Sequence, residues 1–197
     1  MKRIISILTV AGIIATAVSV QAQSTKKLKV GAMAGLNLAN VKESGTGSSS
    51  TNSLTGIVVG GYAQYAVSDA FTVQPELQLG QYGCKYTFLG GTLKFKSSYL
   101  SVPILAKYVF GTSGFSLAAG PQLGLLLSAK IEGTDVKSEL KSTDFSGVFG
   151  AGYELKNGVS FAARYQLGLS NIDKNTSSSS TSKNTAFQLT VGYTFLK

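Results

Sequence analysis

Eight stretches of the chain alternate residue by residue between an apolar, uncharged set and a set of small or polar residues. Val159, Phe161, Ala163, Tyr165, Leu167 and Leu169, for example, interleave with Ser160, Ala162, Arg164, Gln166, Gly168 and Ser170. Successive side chains of a strand point to opposite sides of a sheet, so this period of two predicts strands. It persists for the roughly ten residues that a tilted strand needs to cross a bilayer. The strands are expected near residues 28–40, 54–67, 70–82, 99–110, 115–127, 143–155, 159–170 and 185–195. Their links at 68–69, 111–114 and 156–158 are tight, and Asn157-Gly158 is a pair that tolerates the positive φ of a hairpin. The links at 41–53, 83–98, 128–142 and 171–184 are long, and two carry Ser tracts, at 48–50 and 177–180, that favour mobility over packing. The pattern predicts an all-β fold, an eight-stranded antiparallel up-and-down transmembrane β-barrel with periplasmic turns and extracellular loops.

Cost decides which set meets lipid, because a Lys or Arg on the lipid face loses roughly 2 to 4 kcal/mol at the midplane. Ile57, Val59, Ala63 and Val67 are therefore expected outside, with Gly56, Gly60, Tyr62 and Gln64 inside. The strand charges Glu76, Lys107, Asp144, Glu154 and Arg164 all share the inward parity. A barrel of eight strands is filled by its own side chains, so these charges are expected to pair. Glu76 and Arg164 sit at similar depth on opposite walls, and Glu154 and Lys107 form a lower layer; a shear shift would make Lys107 the partner of Glu76 instead. The functional alternative for this ion network is a proton or solute path. Aromatic residues gather near strand ends, with Tyr65, Phe71, Tyr108, Phe115, Tyr153 and Tyr193 toward the turns and Phe145 and Phe187 toward the loops, as in interfacial girdles. Pro75, Pro103 and Pro121 fall inside strands, where local bulges are expected.

The first residues set the compartment. Lys2 and Arg3 precede an apolar run that ends in Val20, Gln21 and Ala22, so residues 1–22 read as a secretory signal peptide, and 23–197 as the barrel domain. A retained anchor is the competing reading of that long run. The whole chain carries a net charge of +9 at pH 7. Its lysines fall in or beside the long links, without the basic helix or stripe of a nucleic-acid binder. Lys85, Lys94 and Lys96 are the candidate surface contacts to lipopolysaccharide phosphates, against a reading as ordinary solvated charge. Histidine is absent, which removes the commonest general base and metal ligand. The acids are scattered, and Gly147, Gly150 and Gly152 lie within one alternating strand, not before a phosphate-binding helix. Catalytic, cofactor and metal sites are expected to be absent. Cys84 reads as a structural thiol in a loop.

Motifs along the chain resemble the PorT-like family of small outer-membrane β-barrels, within the broader outer membrane protein beta-barrel domain class. They are GAMAGLN at 31–37, VQPEL at 73–77, YLSVPILAKY at 99–108, AAGPQLG around Gly120-Pro121, GVFGAGY at 147–153 and RYQLGL at 164–169. Similar motifs in that family contain the same prolines, which marks them as design features. The resemblance implies a non-enzymatic outer-membrane barrel with an envelope-structural or surface-interaction role, and the family's namesake adds an association with secretion. Its expected partners are outer-membrane lipids and lipopolysaccharide, the barrel-assembly machinery during insertion, and a protein reached through the extracellular loops. A soluble periplasmic lipocalin-like ligand-binding barrel is the alternative, with the same period but an apolar interior.

Overall fold

In a computed structural model, which describes residues 28–44, 51–88, 91–174 and 181–196, the alternating segments close into a ring. Strands β1 (Leu28–Ser44), β2 (Thr51–Ala66), β3 (Phe71–Phe88), β4 (Gly91–Val109) and β5 (Phe115–Ile131) each pair with the next. A two-residue strand, β6 (Thr134–Asp135), only folds the loop back on β5. The wall continues from β5 through β7 (Thr143–Glu154), β8 (Val159–Gly168) and β9 (Thr181–Leu196), and β9 returns to β1. Every pairing is antiparallel, so eight wall strands form a closed barrel without a free edge. The predicted leader, residues 1–22, and the Ser tracts at 48–50 and 177–180 lie outside the described residues.

The two faces divide as the lipid-cost argument requires. Leu36, Ile57, Leu79, Leu117, Phe161 and Leu189 are exposed on the outer surface, whereas Asn37, Gln74, Glu76, Gln78, Asp144 and Gln188 are buried in the lumen. A soluble binding barrel shows the reverse arrangement, so the lipocalin-like alternative is not favoured. The six aromatic residues expected toward the tight turns are all exposed on the outer surface, as are Phe145 and Phe187 toward the loops.

The strands outrun the alternation at the loop end. The predicted loop at 83–98 is strand almost throughout, β3 and β4 pairing as far as Phe88 and Gly91, and β1 and β9 pair out to Ser44 and Thr181. Lys85, Lys94, Lys96 and Cys84 are thus strand residues and not loop residues. The pattern inverts because its cause changes above the lipid: water now lies outside, so apolar side chains turn inward and polar ones outward. Val41, Cys84, Phe95, Tyr99, Leu126 and Ala129 fill this end of the lumen, and Leu140 and Ile172 from the third and fourth loops cover them. It is the core of a soluble protein standing on a membrane barrel.

Bulges do not form at the prolines. Beside Pro75 and Pro103 the β3–β4 ladder lapses between Pro75↔Ile104 and Gln78↔Ser101 and then resumes in the same register. Missing donors are therefore absorbed by skipping pairs. Register shifts occur instead at Val30/Gly31, Ser53/Val58 and Ser98/Tyr99. Close approach of neighbouring strands demands glycine at some inward sites: a Cβ on Gly120 would collide with the Ile104 carbonyl oxygen, and one on Gly150 with that of Ala163. Gly147, by contrast, has open space around it.

Candidate functional site

The lumen is layered by chemistry. At mid-height Arg164 Nη1 donates to Glu76 Oε2 at 2.8 Å, joining β8 to β3 across the barrel. The Glu76 side chain is fully buried. Two amides on its own strand complete its coordination: Gln74 Nε2 donates to Oε1 and Gln78 Nε2 to Oε2. The alternation of β3 puts 74, 76 and 78 on one face, which is why a single carboxylate can collect all three donors. Gln188 of β9 extends the net, donating to Gln78 Oε1 at 3.3 Å and to Asn37 Oδ1 at 3.1 Å. Four strands, β1, β3, β8 and β9, are tied together around one buried charge pair.

Toward the loops a second polar layer lies below the apolar cap. Tyr82 donates to Gln166 Oε1 at 2.9 Å, and Asn184 Nδ2 donates to Asp144 Oδ2 at 2.9 Å and to the Tyr99 hydroxyl at 3.2 Å. Asp144 Oδ1 also accepts from Ser170 at 2.8 Å. These bonds satisfy the inward charge of β7 without a cation.

Toward the tight turns the expected Glu154–Lys107 layer is rearranged. Glu154 Oε1 accepts from Lys29 Nζ at 2.7 Å, and Lys107 makes no salt bridge among the described residues. Lys29 shares the inward parity of Gly31 and Met33 on β1 and pairs with the inward Gln64 of β2, and that parity was the signal for it. The region opens to the turn-side mouth through a cavity of about 430 Å³ whose walls include Lys29, Lys107, Lys156, Glu154, Asp69 and Ser116.

On the outer wall above the lipid, strand pairing assembles a basic surface. Lys85 faces Lys94 across β3 and β4, and Lys96 faces Lys130 across β4 and β5. Lys94 and Lys96 are exposed and flank buried Phe95, which fixes this face as the outer one. A third opposed pair, Lys42 and Lys183, lies on β1 and β9. Like charges directly opposite each other cost stability, roughly 0.2 to 1 kcal/mol per pair. A surface groove of about 540 Å³ runs past Lys94, Lys96 and Lys130. Two carboxylates enter the cluster: the Lys94 backbone N–H donates to Glu132 Oε1 at 2.7 Å, and Asp135 of β6 stands opposite Lys130. Lys130 and Lys183 belong, with Lys85, Lys94 and Lys96, to the lysines that fall in or beside the long links in sequence; their opposed pairing, and Lys42, come from cross-strand register, which is not visible before the fold is known.

The sequence profile of the outer membrane protein beta-barrel domain matches residues 21–174. Among solved structures the chain resembles Ail of Yersinia pestis, crystallised in complex with the heparin analogue sucrose octasulfate, at a TM-score of 0.54 and 18% identity over 86% of this chain and 99% of that one. It also resembles the Neisserial surface protein A, at a TM-score of 0.51 and 19% identity over 85% of this chain and 97% of the other. No curated protein sequence matches it.

Proposed function

The chain belongs to the outer membrane protein beta-barrel domain family and resides in the outer membrane, and we propose that it is a non-enzymatic envelope barrel whose basic outer wall holds the phosphates of lipopolysaccharide. The observation that carries this reading is the set of opposed lysine pairs, Lys85–Lys94, Lys96–Lys130 and Lys42–Lys183. Juxtaposed cations that outnumber the neighbouring carboxylates, Glu132 and Asp135, are tolerated where an anionic ligand lies against them. Their position on the outward face, beyond the apolar band, is the height at which lipid headgroups meet the barrel. Short turns then face the periplasm. On the same reading residues 1–22 are the export signal, the barrel-assembly machinery inserts the chain, and the loop end offers the surface for a protein partner. Within the family the proline-containing strand motifs support a PorT-like subtype.

Heat modifiability tests the whole reading. Barrel purified from outer membranes should migrate anomalously on unboiled SDS gels, and added lipopolysaccharide should raise the temperature at which this mobility is lost. Replacing Lys85, Lys94, Lys96 and Lys130 together by Gln should abolish most of that rise while leaving the lipopolysaccharide-free transition unchanged or higher, because opposed charges are removed. An equal response from both proteins would sink the lysine wall; recovery of the chain as a soluble periplasmic monomer would sink the membrane assignment.

Orientation has its own check. Single cysteines introduced in a Cys84→Ser background at Ser49 and Ser178 should react with a membrane-impermeant maleimide in intact cells, and one at Asn157 should stay unlabelled until the outer membrane is permeabilised. Labelling at Asn157 alone would invert the barrel.

A further inference from the structure

We propose that the turn-side mouth of the lumen is a binding site for a small hydroxyl-bearing oxyanion, of the class of hydrogen phosphate or a phosphate monoester, with Lys107 as its principal ligand. Charge balance is the first support. The lower lumen and its mouth hold the cations Lys29, Lys107, Lys156 and Arg164 against the carboxylates Asp69, Glu76 and Glu154, with Glu76 engaged by Arg164 and Glu154 by Lys29. Lys107 is left as excess positive charge on a partly buried site, an arrangement that favours an anion from outside.

Space and hydrogen bonding are the second support. The cavity of about 430 Å³ at the mouth has Lys107 on its wall, with Ser116 and Thr72 beside it as hydroxyl donors. A smaller inner chamber of about 40 Å³ continues from it, lined by Lys107, Ser116, Gln74 and Arg164. Gln74 Oε1, in that chamber, is buried and has no hydrogen-bond partner. A buried carbonyl oxygen without a donor costs roughly 1 to 3 kcal/mol, so a partner is favoured there. An anion with only acceptor oxygens satisfies Lys107 but not Gln74. A protonated phosphate satisfies both, its charged oxygens accepting from the Lys107 ammonium and its hydroxyl donating to Gln74. The Glu76–Arg164 layer closes the chamber toward the loops, so the site is a blind vestibule served from the periplasmic side in the proposed orientation.

The test uses full barrel purified from outer membranes into a zwitterionic detergent, with inorganic phosphate as the probe and chloride at matched ionic strength as the reference. Phosphate should raise the temperature of the gel-mobility transition in proportion to occupancy, and calorimetry should show one site. Lys107→Met should fold, since it removes an uncompensated charge, and should weaken phosphate binding by about tenfold or more. Glu154→Gln frees Lys29 into the same cavity and should tighten it, so the two variants move in opposite directions. Sulfate, which offers no hydroxyl near neutral pH, should bind more weakly than phosphate, and Gln74→Met should erase that preference. Equal phosphate responses in wild type and Lys107→Met, or none in either, would overturn the site; equal affinity for sulfate and phosphate would overturn the hydroxyl contact. The lipopolysaccharide response of Lys107→Met should match wild type, which separates this site from the lysine wall.

Discussion

Replacing Arg164 by Met should destabilise the barrel by about 3–5 kcal/mol, because it strands the Glu76 carboxylate where no solvent reaches it. Gln74 and Gln78 would still donate to that carboxylate, but amides supply no compensating charge. Changing Glu76 to Gln in the same protein should recover much of the loss, since the pair is then removed together and the amide network stays hydrogen-bonded. Lys107 lines the same inner chamber as Arg164 but makes no salt bridge with Glu76 in the fold. A double-mutant cycle read from the gel-mobility transition measures the coupling. Purely additive effects would show that the two residues do not interact and would return the lumen charges to a water-filled path.

What the sequence made legible was whatever lipid imposes. Along β8 the charged and amide residues, Arg164 and Gln166, fall only on the inward parity, so they announced the lumen before the fold was known. Even the pairing of Glu76 with Arg164 followed from counting residues from each tight turn, because short turns fix strand offsets. Lys29 escaped the same counting, since none of the predicted tight turns adjoins β1. Glu154 consequently found a partner other than Lys107. The prolines misled for a related reason: a bulge is one way to accommodate a missing donor, and a skipped pair beside Pro75 is another that leaves no mark in the sequence. The loop end was the least legible part. Tyr82, Cys84, Tyr86 and Phe95 alternate with Gly83, Lys85, Lys94 and Lys96 as strictly as any lipid-crossing strand, but with the polar set outside. Read with one rule for the whole chain, that inversion looks like the end of a strand.

The same inversion makes the loop-end cap the other place where one side chain matters greatly. Phe95 is 6% exposed and belongs to the buried cluster that includes Tyr99, Leu126, Ala129, Leu140 and Ile172, so its ring is shielded by water-facing strands and two loops and not by detergent or lipid. Phe95→Ala should cost about 3–5 kcal/mol, the sum of a lost transfer term and the cavity left among neighbours pinned by strand pairing. Ile104, on the same strand but 50% exposed to the lipid side, is the control. Hydrocarbon closes over a truncated outward side chain and no cavity forms, so Ile104→Ala should cost much less despite the similar loss of apolar atoms. The consequences should differ in place as well as size. Phe95→Ala loosens the contacts of Leu140 and Ile172 and should expose the third loop to added protease while the eight-stranded wall, held by its own ladder and the Glu76–Arg164 layer, remains heat-modifiable. Equal losses for Phe95→Ala and Ile104→Ala would mean that the loop-end lumen is solvated by detergent like the outer wall, and that no separate aqueous core exists there.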